Sequence, residues 1–253
     1  MKRYTAADFR GIYYAHRGLH DKDRGIPENS LAAFRAATEK GYGVELDVQL
    51  SSDGQVVVFH DDTLDRVCGV KGNVSDFSLS QLREMRLLGT EETIPLLTEV
   101  LDVLRQGAGP LIVELKTGKR NDELCEKTWK ILQDYPRVFC IESFDPMIVN
   151  WFRKNAPEVF RGQLASPRKD YGDTVSPFIA WMLSGCRFSF LNRPDFIAYN
   201  ICPRPARVLR KREKGTLLLA WTSRTPEKDE RGNDGVIFER YLPPLRYQPK
   251  ESS

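Results

Sequence analysis

Residues 15–62 read AHRGLHDKDRGIPENSLAAFRAATEKGYGVELDVQLSSDGQVVVFHDD. Just ahead, Ile12–Ala15 is a short apolar and aromatic run, and inside the stretch Gly43–Val48 is a second one. Asn29 or Ser30 can cap a helix through Lys40, and Gly41 can close it. Strand, capped helix, strand is the repeating unit of parallel α/β folds. Further runs of the same kind lie at Leu111–Leu115, Val138–Glu142, Arg161–Leu164, Phe196–Tyr199, Leu217–Trp221 and Val236–Phe238, and a second helix is expected over Leu97–Gln106. Eight strands in a chain of 253 residues and 29.0 kDa match the (β/α)8 barrel, which typically takes about 250 residues. The expected fold is therefore an α/β TIM barrel, one domain spanning residues 1–253.

Two connections depart from the simple repeat. Residues 51–95, between the second and third barrel strands, hold an SSDG turn, an extra strand at Gln55–Phe59 and a short helix around Leu79–Arg86. This is a small insertion rather than a separate domain, and long loops after barrel strands commonly shape a site. The last unit is abbreviated, with only Pro226–Asp234 between the seventh and eighth strands.

Composition narrows the function class. The net charge of +3 is too small for a nucleic-acid footprint, and RVLRKREK at Arg207–Lys214 reads as a solvated helix face. Asp8 and Arg10 interrupt the N-terminal stretch before any signal-like apolar run forms, so no export is expected. Phe178–Leu191 is cut by Ser184, Gly185 and Arg187 and is too short to span a bilayer. Five cysteines at irregular spacing, without a C-x-x-C pair, point to reduced thiols in a cytoplasmic protein. The sequence leaves the oligomeric state open.

The chemistry-bearing residues lie on the strands. Glu45 and Asp47 in V-E-L-D-V are two apart and share a face, and Glu114 and Lys116 repeat the device in V-E-L-K. An E-x-D pair alone is more often salt-bridged than metal-binding. Both pairs, however, sit inside apolar strands, where an uncompensated carboxylate is costly. Lys116 can compensate one acid, so a purely structural network remains open. Three carboxylates otherwise suit a hard cation, magnesium or calcium, better than zinc. His16 and Arg17 end the first strand and His60 ends the extra strand, which offers an acid, a base and a phosphate-binding fork. His20 lies among charged loop residues and is read as a turn histidine.

The ordered set AHRG, PENS, VELDVQ, VVVFHDD, TIPLLTEVL, VELK and IESFDP closely resembles the glycerophosphodiester phosphodiesterase family. The likeness continues more weakly through PDFIAYN, LLLAWTSRTPE and GVIFERYLP. The resemblance implies a TIM barrel with a metal-dependent site at its C-terminal face. It assigns His16 and His60 to the general acid/base pair, and Glu45, Asp47 and Glu114 to one divalent cation. Arg17 and Lys116 match phosphate-contacting positions, and Trp221 and Phe144 match aromatic positions against the glycerol or alcohol moiety, where core packing is an equal reading. Glu28 and Asn29 match a signature that supports the site or caps the helix. Two residues depart from the family pattern: Glu239 stands where many members have aspartate, and Glu142 where others carry a neutral polar residue.

The implied activity is hydrolysis of a small-molecule glycerophosphodiester to sn-glycerol 3-phosphate and an alcohol. A lysophospholipase D would keep the same site but needs an apolar groove, which Phe178–Phe190 can line unless it packs on the barrel. A barrel that binds phosphorylated ligands without turnover is the reading from another class.

Overall fold

The computed structural model describes residues 3–172, 175–226 and 232–248. The chain forms two compact units, one of residues 14–138 and one joining the segment up to Tyr13 with the chain from Phe139 onward. In the first, β1 (Tyr13–His16) is followed by α1 (Leu31–Lys40) and β2 (Gly43–Leu50). Then come β3 (Val56–Val58), α2 (Asp65–Cys68), α3 (Leu79–Leu82), α4 (Leu97–Leu104), β4 (Leu111–Leu115) and α5 (Asn121–Leu132). β2 runs parallel to both β1 and β4, in registers that set His16 beside Glu45 and Asp47 beside Glu114. β3 folds back antiparallel on β2, pairing Val48 with Val58.

Local sequence explains the first βαβ unit. Ser30 Oγ accepts the Ala33 N–H at 3.1 Å and caps α1, and Gly41 ends the helix in the left-handed conformation at φ 77°. Ala33, Phe34 and Ala37 form its buried face. The insertion packs its own apolar cluster, in which Val57 and Phe59 meet Leu64, Val67, Leu82, Leu87 and Ile94. Its helix is a single turn, shorter than the expected Leu79–Arg86, because the chain past Arg83 folds back to bury Leu87 in that cluster. The helix expected over Leu97–Gln106 likewise stops at Leu104.

In the second unit β5 (Phe139–Ser143), β6 (Phe160–Ala165), β7 (Phe196–Asn200), β8 (Leu217–Ser223) and β9 (Gly235–Phe238) pair in parallel in chain order from β5 to β9. Between them lie α6 (Pro146–Asn155), α7 (Pro177–Ser184), α8 (Ser189–Asn192) and α9 (Ala206–Glu213). Gly162 makes room for the Phe196 ring, which a Cβ there would approach to 2.1 Å. That ring stacks on Phe160, which in turn stacks on Phe9.

The eight parallel strands, β1, β2, β4 and β5 to β9, make the expected α/β TIM barrel, with β3 as the extra strand. Each lies within one or two residues of its predicted position. Of the abbreviated connection Pro226–Asp234, residues 227–231 lie outside the described residues. The five cysteines are free, and no helix among the described residues is long and apolar enough to cross a membrane.

Candidate active site

The site is built within the first unit, at the ends of β1, β2, β3 and β4. Past His16 the chain turns sharply, with Arg17 at φ 55° and Gly18 at φ 78°. A Cβ on Gly18 would stand 2.9 Å from the Ala33 backbone, so the turn lies directly against α1. The turn aims the Arg17 N–H at Glu45 Oε2, 3.0 Å away, while His16 Nε2 stands 4.0 Å from the same oxygen.

Glu45, Asp47 and Glu114 are buried, each offering a carboxylate oxygen within 4.8 Å of the others. The strand alternation and the Asp47–Glu114 register put them together. Lys116 Nζ lies 2.9 Å from Glu114 Oε1 and 3.6 Å from Asp47 Oδ1, and Arg17 Nε lies 3.5 Å from Asp47 Oδ2. Asn29 donates to Asp47 Oδ2 at 2.9 Å. Burial opposes the Asp47 anion, but Lys116, His60, Arg17 and the Asn29 amide together hold its carboxyl well below the usual range. Burial of Glu114, with repulsion from Asp47, outweighs the Lys116 charge and pushes its carboxyl up. Burial also opposes the Lys116 ammonium, but Glu114 and Asp47 keep it firmly protonated.

His60, just past β3, is held from behind. Its Nδ1 lies 2.6 Å from Asp61 Oδ1, and Gln49 Nε2 donates to the Phe59, His60 and Asp61 carbonyls. Arg66 grips Asp61 with Nε at 2.6 Å and Nη2 at 3.0 Å, and grips Glu28 with Nη1 at 2.8 Å and Nη2 at 2.7 Å. Glu28 also accepts from Arg17 at 2.6 Å. Against the cost of burial, Arg66 and Arg17 bring the Glu28 carboxyl down to about 2, and Arg66 and His60 do the same for Asp61. A chain of charge-assisted bonds thus runs from His60 through Asp61, Arg66 and Glu28 to Arg17, whose Nε stands 3.5 Å from Asp47 as an ion pair without a hydrogen bond.

Seven of the expected site residues, His16, Arg17, Glu45, Asp47, His60, Glu114 and Lys116, converge in this unit. Arg17 and Lys116, read as phosphate contacts, are also the counter-charges of the carboxylates. In PENS, Ser30 is the helix cap while Asn29, at φ 54°, turns its amide to Asp47. Phe144 and Trp221 belong to the second unit, where they meet edge to face at 5.5 Å. There Glu142 is buried on β5, and Glu239 is buried and paired with Arg224 at 2.7 Å. The sequence reading missed Asp61, Arg66 and Gln49 as supports of the site. The one available signal was the H-D dipeptide, since a carboxylate beside a histidine can hold its ring nitrogen.

Comparison with known proteins gives the family and the fold. The family model described as "Glycerophosphoryl diester phosphodiesterase family" matches residues 16–241. A glycerophosphodiester phosphodiesterase of Caldanaerobacter subterraneus subsp. tengcongensis is 32% identical over 245 residues, covering 90% of this chain and 93% of that protein. Among solved structures, an Oleispira antarctica phosphodiesterase in complex with the product sn-glycerol-3-phosphate is similar with a TM-score of 0.76 at 25% identity, covering 93% of this chain and 95% of its own. A glycerophosphodiester phosphodiesterase from Thermotoga maritima gives a TM-score of 0.67 at 28% identity, covering 90% and 93%. The chain belongs to the glycerophosphoryl diester phosphodiesterase family, a family of phosphoric diester hydrolases.

Proposed function

We propose that this chain hydrolyses a glycerophosphodiester to sn-glycerol 3-phosphate and a free alcohol, with a divalent cation held by Glu45, Asp47 and Glu114. The observation that carries the reading is a charge imbalance in a buried place. Five carboxylates, Glu28, Glu45, Asp47, Asp61 and Glu114, meet three permanent cations, Arg17, Arg66 and Lys116, and both arginines are shared with Glu28. Buried Asp47 Oδ1 has no hydrogen-bond partner, although Lys116 stands 3.6 Å off. An all-oxygen donor set in which carboxylates outnumber the cations fits magnesium or calcium. Bound there, the cation supplies charge neutralisation for the phosphodiester and Lewis acidity.

The chain's own groups move the protons. Because Asp61 engages Nδ1 of His60, that histidine exchanges its proton at Nε2. His16 completes the acid/base pair. One histidine takes the proton of the nucleophile and the other protonates the leaving alkoxide. With water as nucleophile this gives glycerol 3-phosphate directly, and with the glycerol 2-hydroxyl it gives a cyclic phosphate that a water then opens to glycerol 3-phosphate. Arg17 and Lys116 add positive charge for the phosphate oxygens. Trp221 and Phe144 are proposed as substrate contacts because they match aromatic positions of the family.

The test is turnover of glycerophosphocholine by protein stripped of metal with EDTA and then resupplied. The expected result is release of glycerol 3-phosphate only with magnesium or calcium, and a loss of roughly 10² to 10⁴-fold in His16→Ala and in His60→Ala. Metal-independent turnover, or full activity in His16→Ala, contradicts the reading.

A further inference from the structure

The α7–α8 segment of the second unit is built inside out. Helices of water-soluble folds usually bury their large apolar side chains. α7 instead buries Ala180 and Ser184, while Phe178 and Trp181 are 65% and 39% exposed and Phe190 of α8 is 71% exposed. The Phe178 and Trp181 rings lie 5.9 Å apart, and the Arg187 guanidinium covers the Trp181 ring at 3.7 Å. α7 itself, PFIAWMLS, carries no charge.

The surroundings are cationic. Arg168 and Lys169 line a cavity of about 450 Å³ beside the start of α7. The charges that act on the Cys186 thiol, in the turn between α7 and α8, are Lys211, Arg207 and Arg187, all positive. Lys211 is crowded by burial and by Arg207 and Lys214. Among the described residues none of Arg168, Lys169, Arg187, Arg207 and Lys211 is in an ion pair with a carboxylate. Arg207 and Lys211 of the basic run at Arg207–Lys214, read as a plain solvated face, thus add their charge beside an aromatic patch, while Arg212 of the same run is paired with Asp234.

We propose that the α7–α8 face is a docking surface for the headgroup layer of an anionic phospholipid bilayer. Phe178, Trp181 and Phe190 enter the boundary between headgroups and acyl chains, and the cations pair with lipid phosphates. A second copy of the chain is a poor occupant, because two-fold pairing of this face would bring like cations against each other. An anionic lipid surface answers both the apolar and the charged features at once. None of the residues of this face is among those assigned to catalysis.

The test is co-sedimentation of the full chain with vesicles of phosphatidylglycerol and phosphatidylcholine, compared with phosphatidylcholine alone. Binding to the anionic vesicles is expected, falling in high salt and roughly tenfold weaker on the neutral ones. Phe178→Ser with Phe190→Ser, and separately Arg207→Glu with Lys211→Glu, should each weaken binding by about tenfold or more. Thermal melting and turnover of a water-soluble glycerophosphodiester should stay unchanged in these variants, which separates docking from folding and from catalysis. Wild type that ignores anionic vesicles, or variants that bind as wild type does, overturns the proposal. So does a dimer, in wild type that ignores vesicles, which the phenylalanine substitutions split.

Discussion

Asp61 touches no expected ligand position, yet it sits on the Nδ1 side of His60 and is fixed there by two Arg66 nitrogens. Asp61→Asn keeps the shape and removes the charge, and the expected result is a fall in kcat of roughly 10- to 100-fold with a smaller change in KM. Steady-state kinetics on a soluble glycerophosphodiester read this directly. Glu28 carries a stability consequence. Its folded carboxyl, about 2, lies below its ordinary 4.5, so the stabilisation is full above about pH 4.5 and is lost as pH falls toward 2. Glu28→Gln should lower Tm at pH 7 and flatten the drop in Tm between pH 5 and 3. A drop as steep as in wild type counts against the pairing. The carboxylate ligand candidates were legible because strand alternation fixes which side chains share a face. Arg66 was not, since Glu28 lies 38 residues away in sequence and meets it only through the folded insertion.

The elements were legible where local chemistry decides them. Ser30 and Gly41 bound α1 as their residue types require, and the apolar runs set all eight barrel strands. The insertion was read too loosely, because residues scattered from Val57 to Ile94 have no single period, and only their packing reveals a cluster. Gly18 joins two elements. Alanine there meets both a left-handed φ and the Ala33 backbone at 2.9 Å. Gly18→Ala is expected to cost about 2–4 kcal/mol by combining conformational strain with overpacking. Denaturant unfolding checks it, and because the turn also aims Arg17 at Glu45, activity should fall with stability. A variant as stable as wild type would show that the turn relaxes freely.

For the whole molecule, the barrel was the most legible feature, since strand number, chain length and ordered motifs all converge on it. Phe178–Leu191 was the least legible, because an apolar helix in sequence does not say whether its large residues face in or out. The carboxylate cluster also makes a global prediction. A ligand that binds only the folded chain, present at a hundredfold its Kd, stabilises by about 2.7 kcal/mol, or roughly 5–10 °C in a chain of this size. Magnesium or calcium should raise Tm by about that amount in wild type and leave Asp47→Asn unmoved, as differential scanning calorimetry would record. The most direct measurement is diffraction from crystals grown with manganese, recorded at its absorption edge. An anomalous peak is expected with oxygens of Glu45, Asp47 and Glu114 at about 2.0–2.6 Å. A peak elsewhere, or none in crystals of protein that turns over substrate, would contradict the assignment.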